Sequence, residues 1–247
     1  MNYNWNWRIF WEASPDGVGT YMDTLWSGLA WTLATALLAW TMALILGALI
    51  GTIRTMPSRW AARLANAYVE LFRNIPLLVQ MFLWYFVIPE LLPVAAGNWL
   101  KALPNAPFVT AVICLGFFTS SRVAVQVSAG INALPRGQKM AGTALGLTLP
   151  QTYRYVLLPM AFRIVIPPLT SESMNIVKNS AVAFAVSVAE LTMFAMQAQE
   201  ETSRGIEVYL AVTALYFVSA FAINRVMLFI ENRVRVPGMI SLAGGGH

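Results

Sequence analysis

Thirty consecutive residues, Thr24 to Ile53, contain no ionisable side chain. A helix needs only about 20 predominantly apolar residues to span the hydrocarbon core of a bilayer, so this run sets the solvent in which the chain folds. The rest of the 247 residues agree: 58% are hydrophobic, 11% are charged and mean hydropathy is +0.62, against roughly 25% charged in soluble domains. Residues 1–25 read as an outer interfacial segment. Met1 to Asp23 has Arg8 as its one base, alternates Trp with Asn, and lacks an apolar core before a small-residue cleavage site. It is therefore read as retained, with the first span doing the targeting.

Cysteine and histidine usage excludes several chemistries. Cys114 stands alone in an apolar segment, which rules out a disulfide framework and reads as a buried structural thiol. His247 is the one histidine, so metal clusters and histidine-dependent catalysis lose their usual residues. The net charge of +5 comes from bases near span ends, so it is not read as a nucleic-acid signal.

Apolar runs predict an all-α polytopic membrane protein with about five transmembrane helices: Trp26 to Ile53, Asn66 to Leu91, Phe108 to Ile131, Tyr153 to Val177 and Val208 to Ile230. One side carries eight bases, Arg54, Arg59, Arg63, Arg136, Lys139, Arg154, Arg233 and Arg235. The other has Arg8, Lys101 and Arg204 among seven acids: Glu12, Asp16, Asp23, Glu90, Glu200, Glu201 and Glu207. The positive-inside rule then puts the N-terminus outside and the C-terminus in the cytoplasm. Trp5, Trp7, Trp11, Trp26 and Trp99 fall near the outer interface, where amphipathic rings are favoured. Ala181 to Ala189 is too short to cross and reads as re-entrant or interfacial. The tail 237–247 reads as flexible.

Bases inside spans each require water, a partner or a role, since one at a helix centre costs about 2.5 to 3.5 kcal/mol. Arg122 lies nearest a midplane and is the leading candidate for a ligand-binding cation; the competing reading is a structural pairing with Glu172 or a backbone carbonyl. Arg73 and Asn74 precede Pro76, whose missing N–H frees the Phe72 carbonyl and bends the second span; alternatively Arg73 pairs locally with Glu70. Arg163 and Arg225 read mainly as anchors. Pro167-Pro168 is expected to disrupt the fourth span, with Glu172, Asn175, Lys178, Asn179 and Ser180 beyond it lining a pathway; a kink needed only for packing is the alternative.

A polar loop, residues 132–159, separates two apolar segments. Pro135 and Gly137 stop one helix, Gln138 to Leu145 suits a short helix ending at Gly146, and Thr148-Leu149-Pro150-Gln151 reads as a capping box. Gly146 followed by Val156-Leu157-Leu158-Pro159 resembles the coupling loop of ABC importer permeases. Phe72 to Gln80, Leu134 to Gln138, Gly146-Leu147-Thr148, Tyr155 to Pro159, Pro167 to Thr170 and Lys178-Asn179-Ser180 follow in order. The chain looks like a polar amino acid ABC importer permease, most similar to the glutamate/aspartate permeases, over roughly Trp26 to Val236.

That resemblance implies a type I importer permease fold in which 26–236 form the transmembrane domain of a bacterial inner-membrane permease. It implies a second permease chain, a separate ATPase dimer and an external binding protein. Residues Arg136, Gln138, Lys139, Met140, Ala141, Gly142, Gly146 and Leu147 would couple to the ATPase. The chain has no Gly-Lys dipeptide and hence no P-loop; ATP and Mg belong to the partner, no cofactor is expected here, and the chain is not an enzyme.

Two positions depart from the family pattern. Met140-Ala141-Gly142 replaces the Glu-Ala-Ala start. In the third span Arg122, Val125 and Ser128 stand where many relatives have Tyr, Glu and Arg. Loss of the acid and the deeper cation favour an anionic cargo, because Arg holds a carboxylate through two parallel charge-assisted hydrogen bonds. Glutamate or aspartate follows, with glutamine as the alternative. An ion-gradient-driven transporter is the rival class, and a membrane enzyme using Glu172 a third, unsupported by paired carboxylates or a metal cluster.

Overall fold

The computed structural model describes residues 3–14 and 19–234, and among them the regular structure is helical apart from an isolated bridge between Ala13 and Thr20. Eleven α-helices follow in order: α1 (Tyr21–Ile53), α2 (Arg59–Asn74), α3 (Leu77–Phe82), α4 (Ile88–Leu91), α5 (Val94–Lys101), α6 (Ala106–Asn132), α7 (Arg136–Ala144), α8 (Leu149–Thr152), α9 (Leu158–Ser180), α10 (Leu191–Thr202) and α11 (Gly205–Val234). Wider π turns join α3 to α4 at Leu83–Val87 and α8 to α9 at Tyr153–Leu157. Three helices, α1, α6 and α11, are long and apolar enough to cross a membrane. The number becomes five if each of two bent helix pairs, Arg59–Leu91 and Leu149–Thr202, counts as one span.

Span by span, the structure extends the apolar-run boundaries. Helix α1 starts at Tyr21 because Asp23 Oδ2 accepts hydrogen bonds from the Thr20 N–H and hydroxyl, each at 2.8 Å, and an acid in the first turn suits the helix dipole. Its threonines do not interrupt it, since Thr32, Thr35, Thr41 and Thr52 each donate to the carbonyl four residues back. Helix α2 starts at Arg59, not near Asn66. It is amphipathic, with Ala65 and Val69 buried and Arg59, Arg63, Glu70 and Arg73 exposed; counting apolar runs misses such a helix.

At Pro76 the expected bend of the second span is present as a full break: α2 ends at Asn74 and α3 begins after Pro76, whose φ of −57° and ψ of 139° are extended. Pro167 and Pro168, expected to disrupt the fourth span, lie inside an unbroken α9. Their missing donors are tolerated, as in membrane helices generally, and the Thr170 hydroxyl donates to the Ile166 carbonyl at 3.2 Å. The interruption comes later, as a 3₁₀ turn at Ala181–Val186 followed by Ser187 at φ 63°.

The chain divides into two compact units. One comprises Met1–Thr41, Ile75–Gly116 and Asn175–Ala222. Its main core joins Ile9 and Phe10 to Tyr21, Leu25, Leu191, Phe194, Val208 and Val212; a second cluster holds Met81, Ala111, Cys114, Ala183 and Val186. Cys114 is fully buried, as a structural thiol should be. The N-terminal strip is tied to α11: the Tyr3 hydroxyl and Asn6 N–H donate to Glu207 at 2.5 and 2.8 Å. The Glu190 carboxylate caps α10 through the Thr192 and Met193 N–H groups and accepts from the Tyr216 hydroxyl at 2.6 Å. Trp5, Trp7, Trp11, Trp26 and Trp99 are all exposed.

The other unit comprises Met42–Asn74, Phe117–Met174 and Ile223–His247. Small residues let its helices approach closely. A Cβ on Gly47 or Gly51 of α1 would lie 2.5 Å from Val123 and 2.7 Å from the Ala124 carbonyl oxygen of α6; one on Gly130 of α6 would lie 2.2 Å from Val165 of α9. Helix α2 joins through Tyr68, whose hydroxyl is 2.6 Å from Ser120 Oγ, and through Phe72 stacked on Phe117. The tail 237–247 lies outside the described residues, as do Asp16 and Arg235.

Candidate functional site

The second unit holds two groups of the candidate residues. In the first, Arg122 sits sixteen residues past Ala106 and ten before Asn132 on α6, facing Glu172 of α9. Arg122 Nη1 and Glu172 Oε1 are 3.9 Å apart, with side-chain exposures of 41% and 12%. The pairing weighed against a ligand role is therefore present, at the long end of ion-pair distances. The guanidinium also lies over the Phe118 ring, 5.0 Å from its centroid.

Gln126, one helical turn further along α6, donates from Nε2 to the same Glu172 oxygen at 3.4 Å. Buried Arg122 Nε, Gln126 Oε1 and Thr119 Oγ1 have no hydrogen-bond partner among the described residues. Thr119, Arg122 and Gln126 are spaced by three and four residues and so share a face of α6. Unsatisfied buried polar atoms are costly, and a stripe of them beside Glu172 suits a polar guest. Gln126 and Thr119 were missed in the sequence because an isolated amide or hydroxyl in an apolar run reads as a residue satisfied by its own helix.

The remaining expected pathway residues are not gathered there. Arg73 and Asn74 are exposed at the end of α2, and Arg73 forms no ion pair with Glu70 among the described residues. Asn175, Lys178, Asn179 and Ser180 fall in the other unit; Lys178 is exposed, while Ser180 is buried and donates to the Val177 carbonyl at 2.7 Å.

The second group is the loop helix. Pro135, at φ −54° and ψ 136°, precedes α7, which starts at Arg136, two residues before the expected Gln138. Gly146 ends it with φ 76°. The Gly146 N–H bonds the Thr143 carbonyl and the Leu147 N–H bonds the Gly142 carbonyl, at 3.0 and 3.1 Å, the Schellman arrangement that favours glycine. The next helix opens as the capping box promised, with Gln151 Oε1 accepting from the Thr148 N–H and hydroxyl at 2.8 and 2.9 Å.

Met140 is 70% and Leu145 79% exposed, so α7 presents an apolar surface although its acid is absent. Gln138 Oε1 is buried without a hydrogen-bond partner among the described residues. Ala141 and Leu147 lie on the same helix and its cap, but the side chains of Arg136 and Lys139 lie outside the described residues.

Outside this unit, burial and the Glu207 carboxylate matter for Tyr3: the hydrogen bond to Glu207, then desolvation, raise its pKa above the ordinary 10.0. No group of three or more His, Cys, Asp or Glu residues that could hold a metal occurs among the described residues.

Comparison with known proteins gives the family and the fold. Residues 43–236 match the family model described as binding-protein-dependent transport system inner membrane component. The glutamate/aspartate import permease protein GltJ of Escherichia coli strain K12 is 47% identical over 241 residues, covering 96% of this chain and 98% of its own. The probable glutamine ABC transporter permease protein GlnM of Bacillus subtilis strain 168 is 32% identical, covering 89% and 95%.

Among solved structures, an amino acid ABC transporter crystallised with histidines matches at TM-score 0.73 and 30% identity, covering 86% of this chain and 95% of that one. An inward-facing MetNI methionine ABC transporter matches at 0.71 and 22%, covering 87% and 98%, a likeness of fold. The helical architecture is that of type I ABC importer permeases, transport subunits and not enzymes. The chain belongs to the family of binding-protein-dependent transport system inner membrane components.

Proposed function

We propose that this chain is the permease subunit of an ATP-driven importer of acidic amino acids, glutamate and aspartate. It pairs with a second permease chain, receives cargo from an external binding protein and is driven by a separate ATPase that binds ATP and Mg. The N-terminus lies outside and the C-terminus in the cytoplasm, so that α7 meets the ATPase. The observation that carries the cargo assignment is Arg122. It sits mid-helix, is half-exposed, is held by Glu172 only at 3.9 Å, and its buried Nε–H has no partner among the described residues. A cation so placed can release part of its attention to Glu172 and take a carboxylate with two parallel hydrogen bonds. The 47% identity to a glutamate/aspartate import permease supports the same cargo.

The test is uptake of labelled glutamate, aspartate and glutamine by vesicles holding the complete complex. Arg122→Ala is expected to abolish uptake of the two acids while the complex still assembles. Wild-type kinetics in that variant remove Arg122 from cargo binding. A second reading, glutamine as cargo, is favoured by the 32% identity to a probable glutamine permease and by Gln126 beside Glu172; it wins if glutamine alone is taken up.

A further inference from the structure

We propose that Tyr153 is a positioning residue for transport, the link that carries movement of α7 into the ends of α1 and α6 and the middle of α2. The inference rests on the reading of α7 as the ATPase contact. Its chain of contacts lies within one compact unit. A Cβ on Gly142 of α7 would sit 2.8 Å from Thr152 Cγ2 and 3.0 Å from its Oγ1, so α7 rests directly on the last residue of α8. The next residue is Tyr153, 4% exposed, which opens the π turn to α9; such turns recur at functional sites.

The Tyr153 hydroxyl donates to the Thr55 carbonyl at 2.8 Å, with Thr55 Oγ1 3.1 Å away. Thr55 in turn donates to the Thr52 carbonyl in the last turn of α1 at 2.8 Å. Its neighbour Arg54 donates from Nε to Asn66 of α2 at 2.8 Å and from Nη1 to Ser128 of α6 at 3.0 Å. One turn, Arg54 and Thr55, thus holds three helices, and the buried phenol joins it to the segment under α7. A shift of α7 that drags Thr152 pulls this turn through a single short hydrogen bond. Packing alone would not need the hydroxyl: phenylalanine fills the same space.

Tyr153→Phe tests the link in vesicles holding the full complex with its ATPase and binding protein. ATP hydrolysed per amino acid imported is expected to rise about 2- to 10-fold, the range set by one hydrogen bond. The KM for the amino acid and the yield of assembled complex should stay at wild-type values. Thr55→Val, which removes the hydroxyl beside Tyr153, is expected to raise the same ratio by a smaller factor. It supplies the readout if Tyr153→Phe assembles poorly. Tyr155→Phe, at an exposed neighbour, should leave the ratio unchanged.

Docking is read separately by cross-linking from Met140→Cys to the ATPase; the one native cysteine, Cys114, is buried and silent. A normal cross-link with a wild-type ratio in Tyr153→Phe and Thr55→Val overturns the link alone. Absence of the cross-link in the otherwise wild-type chain overturns the reading of α7 and the link with it.

Discussion

Gly51→Ala is the sharpest test of how α1 and α6 are held together. The added Cβ would stand 2.7 Å from the Ala124 carbonyl oxygen and 2.8 Å from Val127 Cβ. Carbon contacts are comfortable only near ~3.5 Å, so the helices must part by about 0.8 Å at that level, and the obstacle is backbone that cannot swing aside. Overpacking of this kind costs about 1–3 kcal/mol. Alanine's better helix propensity offsets up to about 1 kcal/mol of that. The net is a loss of about 0–2 kcal/mol, or up to about 30-fold in the ratio of folded to unfolded chain.

The built-in contrast is Gly28 on the same helix, where a Cβ would meet the Glu190 and Leu191 backbone at an ordinary 3.4 Å. Gly28→Ala should be neutral or stabilising. Reversible unfolding in bilayer discs, read by a force- or denaturant-based assay, separates the two. Equal stabilities for Gly51→Ala and Gly28→Ala would refute the close-approach account.

Gly146→Glu meets no steric obstacle, so its effect comes from φ 76°, a strain of about 1–2 kcal/mol for a non-glycine residue, and from a negative charge at the C-terminal end of α7, which the helix dipole disfavours. It should loosen the end of α7 and lower stimulation of the ATPase by loaded binding protein; normal stimulation would count against the docking role. For Tyr3 the sign is that of an acid whose folded pKa is raised. Its hydrogen bond to Glu207 contributes fully below the unfolded value near ~10 and is lost as pH climbs through the folded value. Hydrogen exchange of residues 3–12 should accelerate across that window in wild type. In Tyr3→Phe it should be fast throughout.

Much of the framework could be read from local sequence because its causes are local. Thr24 to Ile53 had to be helical in lipid, Gly146 had to end a helix, and Thr148 with Gln151 had to start one. Errors arose where two local rules competed. Apolar counting started the second span at Asn66 because the charged face of α2 diluted its apolar one, and proline's usual effect broke α9 in expectation while the membrane helix absorbs both prolines. What could not be read joins residues far apart: Tyr3 and Glu207 are 204 positions apart, Thr55 and Tyr153 are 98, Gln126 and Glu172 are 46. No spacing rule links such pairs, since each exists only after the helices pack.

The energetics of Arg122 and Glu172 bear on whether they serve folding or cargo. A charged side chain mid-helix costs about 2.5–3.5 kcal/mol, so two cost about 5–7. A half-exposed ion pair contributes about 0–1 kcal/mol, and a cation over an aromatic ring adds about 0.5–1 at such a site. At 3.9 Å, with Arg122 at 41% exposure, the pair falls short of its own cost by several kcal/mol, and apolar residues of like volume would serve stability better. Water reaching Arg122 reduces that deficit. Water at the centre of a membrane helix, however, is what a pathway supplies and a packed core does not. Either way the deficit is met by something other than packing, which supports the cargo role proposed for Arg122. The double variant Arg122→Met, Glu172→Leu should accordingly fold at least as stably as wild type and transport nothing.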